Sequence, residues 1–229
     1  MKRQLFKSML FVLAMSLTAT SAIAQRDRNY VKNAIKKWGS CKNVAITKTN
    51  GDVALHNRNE YAVSNVPSDL LSKLKQLHAQ KKLIDDVQLT ESGRWCVLVD
   101  DNGASWSDIP KGLEMKIRDY NDKAYTVRAI TFNDSNDWII VSDEYFSTSS
   151  VDLDNWLTEG LRKWGKLWAV SLSDDAAVAV YERGFSYRGN VPENMKQALR
   201  STSFDVFRLK IAGTGWFFAD VNENYQYHM

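Results

Sequence analysis

Proline occurs three times in this chain of 229 residues, cysteine twice and histidine three times. Two cysteines cannot make the dense framework of a disulfide-stapled secreted scaffold. Three scattered histidines, with no H-E-x-x-H and no paired Cys-x-x-Cys, exclude the common zinc-site spacings. G-x-S-x-G and P-loop patterns are missing as well, so neither a nucleophile elbow nor a phosphate cradle is written in the chain. Low-complexity tracts are absent and aromatics make up 11% of the residues, which argues against disorder. These absences lead to an expectation of no catalytic residues, no metal and no cofactor.

What the chain does have begins with a leader. Lys2, Arg3 and Lys7 precede the apolar run LFVLAMSL, and Ala22-Ile23-Ala24 fits a small-x-small cleavage site. The pattern predicts a signal peptide over 1–24 and export to the periplasm or beyond. The apolar run is shorter than the roughly 20 residues of a membrane span, and no later segment is apolar enough to cross a bilayer. Removing the leader's three basic residues from 30 leaves 27, equal to the 27 acidic ones. A balanced chain offers no overall field for nucleic acid or an anionic membrane.

A phrase is repeated in the remainder. SNVPSDLLSKL, WSDIPKGLEMKI and GNVPENMKQAL each place a branched apolar residue before proline, then apolar residues three and seven positions on: Leu70 and Leu74, Leu113 and Ile117, Met195 and Leu199. That spacing marks one face of a helix with proline at its start. RNYVKNAIKKWG and LDNWLTEGLRKWG repeat the pattern without proline, with Asp154 standing where proline would be. After each helix come two strand-like runs around a polar turn, such as NVAITK and DVALHN, or RAITFND and WIIVSD. Trp95, Trp138 and Trp216 open the second run at one register. The expected fold is α+β: five tandem αββ units of about 40 residues, near 28–58, 67–100, 110–143, 154–182 and 192–221. They would share one sheet-and-helix core with the helices on one side, in a single domain over 25–229. A closed ring, an open array and paired halves all remain compatible with the repeat.

The phrases GRWCVLVDDNGASWSDIPKGL and AITFNDSNDWIIV resemble repeats of poorly characterised secreted bacterial proteins, some of which carry caspase-like peptidase domains. The resemblance covers the mature chain and implies a packing scaffold, with no catalytic residue to carry over.

Positions kept in every unit are explained by packing that every unit shares, so function is sought in polar and aromatic residues that vary. The segments joining each second strand to the next helix hold Tyr61, Trp106, Tyr145, Phe146, Phe185 and Tyr187 among polar neighbours. If the units are equivalent, these form one loop face suited to a protein or glycan; the bland alternative is that each covers the exposed end of a helix. Cys41 and Cys96 could meet as a disulfide if their units adjoin, and separate buried thiols are the alternative. Asp100-Asp101-Asn102-Gly103 reads as a turn. The expected function is a non-catalytic exported repeat protein that binds a protein or glycan. A hydrolase assembled between repeats, with Cys96 and His56 as candidates, and a protease inhibitor are the competing readings.

Overall fold

Each helix starts where its cap dictates. Pro67, Pro110 and Pro192 take extended backbone angles immediately before the helix, and proline costs nothing there because the first N–H groups have no intrahelical acceptor. Asp27 and Ser150 cap the other two helices by accepting from the N–H groups of Tyr30 and Leu153.

The computed structural model describes residues 27–100 and 102–229; the expected leader and Asp101 lie outside them. The first unit comprises α1 (Arg28–Trp38), β1 (Asn43–Ala45), β2 (Asp52–His56) and β3 (Glu60–Ser64), and the second α2 (Ser68–Ala79), β4 (Ile84–Leu89), β5 (Trp95–Val99) and β6 (Gly103–Ser107). The third holds α3 (Lys111–Asp122), β7 (Val127–Phe132), β8 (Trp138–Ser142) and β9 (Phe146–Thr148). The fourth holds α4 (Val151–Trp164), β10 (Leu167–Leu172), β11 (Ala176–Tyr181) and β12 (Gly184–Gly189). The fifth ends the chain with α5 (Glu193–Ser201), β13 (Arg208–Ala212), β14 (Gly215–Ala219) and β15 (Tyr225–His228).

The fold is α+β with five repeats, as expected, but two features differ. Each unit has a third strand where the sequence reads as loop, and the units form five separate antiparallel meanders instead of one shared sheet. The third strands are short and rich in Ser, Gly and Tyr, with little of the alternation that marks a half-buried strand. Helix α4 also starts at Val151, a turn ahead of Asp154.

The five sheets close into a ring in the manner of propeller blades. First strands neighbour one another in the cyclic order β1, β4, β7, β10, β13 and back to β1, so they stand at the centre and the third strands at the rim. Each helix fills the wedge between its own blade and the preceding one. Leu70, Leu74 and Leu77 of α2, for instance, pack on Val53 and Leu55 of one blade and Ile84, Val87, Trp95 and Val97 of the next. Along β5, Trp95, Val97 and Val99 face that wedge, whereas Cys96 and Leu98 face the wedge of α3. Both faces of each blade are therefore covered, which explains why second strands such as WCVLV and WIIVS are continuously apolar.

The repeated proline and tryptophan meet in the wedges. Trp95 Nε1 donates to Asp69, two residues past Pro67, at 3.0 Å, and Trp216 Nε1 donates to Asn194, two past Pro192, at 3.2 Å. Trp138 lies against Gly112, two past Pro110. The indole thus locks each of these helix starts to the strand that follows it.

At the centre, each first strand is a sheet edge with backbone groups that need partners. Polar side chains at equivalent positions supply them. Gln88 donates to the Phe132 carbonyl at 3.0 Å, the Leu172 N–H donates to Thr131 Oγ1 at 2.9 Å, and the Ile211 N–H donates to Ser171 Oγ at 3.1 Å. The fifth blade has Lys210 here and the first only Ala45. Lys210 reaches past that alanine to Asp86 at 2.7 Å and Gln88 at 3.2 Å, in the second blade. Asn43 also donates to Asp86, at 2.7 Å.

At the turn end of the hub, Glu91 accepts from the Lys48 and Thr49 N–H groups, Asp134 from Ser92, and Asp174 from Asp134 and Ser135. Each carboxylate grips the preceding turn. The fifth turn has Gly213 instead, and the Lys48 side chain lies over it to reach Asp175 at 3.2 Å. The cavity left among these turns is about 30 Å³, room for little more than one water.

Two expected outcomes follow from the packing. Lys210→Met strands the Asp86 carboxylate in the hub, and urea denaturation should register a loss of about 3–5 kcal/mol, part of which Asp86→Asn restores. Gly160 lies inside α4, where alanine would ordinarily be favoured by about 1 kcal/mol. A methyl there would sit 2.1 Å from the Tyr181 ring, so Gly160→Ala should instead destabilise, by about 1–3 kcal/mol.

Candidate functional site

The rim of the first blade opens into a groove of about 1010 Å³ between α1 and α2. One wall is a single face of α1, with Tyr30, Asn33, Ala34, Lys37 and Trp38. The other wall is a face of α2, with Ser68, Leu71, Lys75 and His78. The floor is β3, and four consecutive residues, Glu60, Tyr61, Ala62 and Val63, line it. Successive side chains of a strand point to opposite faces, so a cavity lined by all four faces the edge of the strand. Its partner across the sheet is β2 alone, with Tyr61 opposite Leu55 and Val63 opposite Val53. Alternate residues of β3 accordingly direct N–H and C=O outward, into the groove.

Aromatic groups frame this edge. Tyr61 meets His78 edge-on at 6.0 Å, and Trp38 stacks on His56 at 5.0 Å. Burial, then the nearby Tyr30, raises the Tyr61 hydroxyl above the usual tyrosine range.

Of the residues named from sequence, Tyr61 alone lines this groove. Trp106 lies on β6 in the α3 wedge with Arg118 over its ring at 5.5 Å. Phe146 on β9 packs in the α4 wedge. Phe185 and Tyr187 on β12 pack in the α5 wedge, stacked at 6.5 Å. Tyr145 is 56% exposed and leans on Tyr125 at 5.2 Å. The expected loop face is therefore dispersed: its residues belong to different wedges around the rim, and Tyr61 itself packs on the α2 wedge as well as lining the groove.

The expected disulfide is not formed. Cys41 lies in the α1 wedge and Cys96 in the α3 wedge, both as free buried thiols. Burial drives both far above the usual thiol range, Glu223 adding to the effect at Cys41 and Asp86 at Cys96, so neither is poised as a thiolate nucleophile. Nor is Cys96 beside His56, which lies where the first and last units meet. There Ser40 and His56 both approach Glu223, at 3.1 and 3.0 Å, and Ser40 Oγ is 3.2 Å from His56 Nδ1. A serine relay needs hydroxyl and carboxylate on opposite ring nitrogens. Here they share Nδ1, Nε2 faces Asn57 at 2.9 Å, and Glu223 also accepts from the Asn57 N–H. The cluster ties the C-terminal segment to the first blade.

The chain matches no protein-family model and no curated protein sequence.

Thiol accessibility checks the wedge packing. Iodoacetamide should leave Cys41 and Cys96 unmodified in the native protein and label both in denaturant, with mass spectrometry showing no loss of hydrogens from an intact bridge.

Proposed function

We propose that this is an exported, non-catalytic binding protein that captures an extended segment of a partner protein by adding it to β3 in the groove between α1 and α2. The observation that carries the reading is the lining of the groove by consecutive β3 residues, which leaves an unpaired strand edge at the bottom of an aromatic cleft. Strand addition uses such an edge for main-chain hydrogen bonds and the flanking pockets for alternate side chains. Lys37 and Lys75 on the two walls against the single Glu60 favour a segment with acidic residues. Export rests on the leader-like first residues, and the family resemblance to secreted repeat proteins agrees with it.

Screening the chain from Gln25 onward against an immobilised library of extended peptides tests this. Acidic peptides should be retained, and Tyr61→Ala, assayed where circular dichroism shows it folded because Tyr61 also packs on the α2 wedge, should weaken the best of them by about 2 kcal/mol, roughly 30-fold. N-methylation of alternate peptide residues should abolish binding on one phase only. Retention that survives methylation on either phase, or binding confined to a glycan array, overturns the reading.

A further inference from the structure

Three helix starts are framed by a proline and a tryptophan, and one of the three frames lacks a part. In the second blade, Asp69 stands two residues past Pro67, and its carboxylate accepts from Trp95 Nε1 at 3.0 Å and from the Leu70 N–H at 2.9 Å. In the fifth, the side-chain carbonyl of Asn194 accepts from Trp216 Nε1 at 3.2 Å. The third blade repeats the frame of the second 43 residues on, with Pro110 for Pro67 and Trp138 for Trp95. Even the strand side matches: the Trp95 backbone N–H donates to Ser107 Oγ at 3.2 Å, and that of Trp138 to Ser149 Oγ at 3.0 Å. Only the acceptor differs, because Gly112 takes the place of Asp69.

Both kinds of donor that Asp69 serves are still present. Trp138 is 9% exposed, yet its Nε1 has no acceptor among the described residues. That atom faces the side-chain position of residue 112, since a methyl built on Gly112 would meet Nε1 first, at 3.2 Å. No side chain caps α3, and its first backbone bond runs from the Glu114 N–H to the Pro110 carbonyl at 3.0 Å. The N–H groups of Lys111, Gly112 and Leu113 come before it and have no acceptor among the described residues.

These donors border a cavity of about 620 Å³ whose lining includes Arg94, Asp108, Lys111, Gly112, Trp138 and Ser149. Its charges are close to even. Asp134 holds Arg94 at 3.2 Å, while the exposed Lys111 is opposed by the exposed Asp108. Ser149 is used as well, donating to Asp137 at 3.3 Å. Selection therefore rests on direction: a buried indole N–H and a helix N-terminus converge on one place. A buried donor without a partner is costly, and an anion that accepts from it at a helix start also gains from the helix dipole.

We propose that this cavity binds a carboxylate group, which accepts from Trp138 Nε1 and from the N–H groups at the start of α3 as Asp69 does in the second blade. The neighbouring blade supplies the geometry of the bound state from within the same chain. A free acid and an acidic residue of a peptide present the same two oxygens. The site lies at a different helix from the β3 groove and does not rest on that reading.

Acetate, the blocked tripeptide acetyl-Gly-Asp-Gly-amide and inorganic phosphate are the probes, exchanged for chloride at constant ionic strength and neutral pH, with indole and amide resonances as the readout. The Trp138 indole N–H should move downfield saturably with acetate and with the tripeptide, whereas those of Trp95 and Trp216, already bonded, should stay in place. Whichever of the two binds more tightly identifies the source as free acid or peptide. Gly112→Asp supplies the carboxylate from the chain, so its Trp138 indole should sit at the bound position without a probe and acetate should no longer move it. Trp138→Phe, read at the Gly112 amide, should weaken acetate by at least about tenfold, the size of one hydrogen bond to a charged group. Lys111→Met should weaken it by less than about threefold, as for an exposed charge. A Trp138 indole in the parent that responds to neither acetate nor tripeptide overturns the proposal, whatever the variants do. Loss of the response in Lys111→Met with binding intact in Gly112→Asp would mark an adventitious ion only and overturn it too. Phosphate binding as tightly as acetate would overturn the assignment to carboxylates.

Discussion

The structure depends on satisfying five sheet edges at its centre. A three-stranded meander ends at its inner edge in backbone groups that water cannot reach once five such edges meet, and an unpaired buried group costs about 1–3 kcal/mol. Side chains take over what a further strand would do. Gln88, Thr131 and Ser171 each bond to the backbone of the next blade, and Lys210 completes the circle by a longer reach. The apolar wedges supply most of the burial, but the angle between blades is fixed here, because each polar contact holds two neighbouring strands in one register.

Much of this fold is legible in the sequence, and the illegible part has a physical reason. Helix positions are visible because proline, followed by apolar residues at the third and seventh places, can satisfy only one geometry. Second strands are visible as apolar runs. Ring closure is invisible to periodicity, since stacking and closing need the same wedge faces. Its signal lies in the exceptions: a lysine at position 210 inside RLKIA, where the second, third and fourth blades have Gln88, Thr131 and Ser171 and the first has Ala45, is a buried charge in search of a distant partner. The third strands escaped for another reason. GASWS and FST carry almost no alternation, and their strand state is imposed by pairing with the second strand.

The candidate sites divide the same way. Tyr61 stood out as an aromatic in a polar segment and does line the groove. Trp106, Phe146, Phe185 and Tyr187 stood out for the same reason and pack in wedges, as Tyr61 also does, because an aromatic body fills an apolar wedge as well as it meets a ligand. Three first-strand residues were concealed by bulges. An extra residue shifts the alternation by one, so Asp85, Arg128 and Trp168 read as ordinary members of their strands until the pairing is known.

Closure also fixes how this architecture can change. The wedge of α1 is completed by Phe217, Ala219, Tyr225 and Tyr227 from the last unit, so the two ends of the repeat array are each other's missing neighbours. An open solenoid can gain or lose a unit by unequal duplication and keep its interfaces. In this ring a sixth unit would widen the hub, pulling Lys210 away from Asp86, and narrow every wedge, while a fourfold version would crush the hub and splay the wedges. Variation by copy number is closed to it, which leaves substitution at equivalent positions as the route by which five identical starting units could come to present five different side chains.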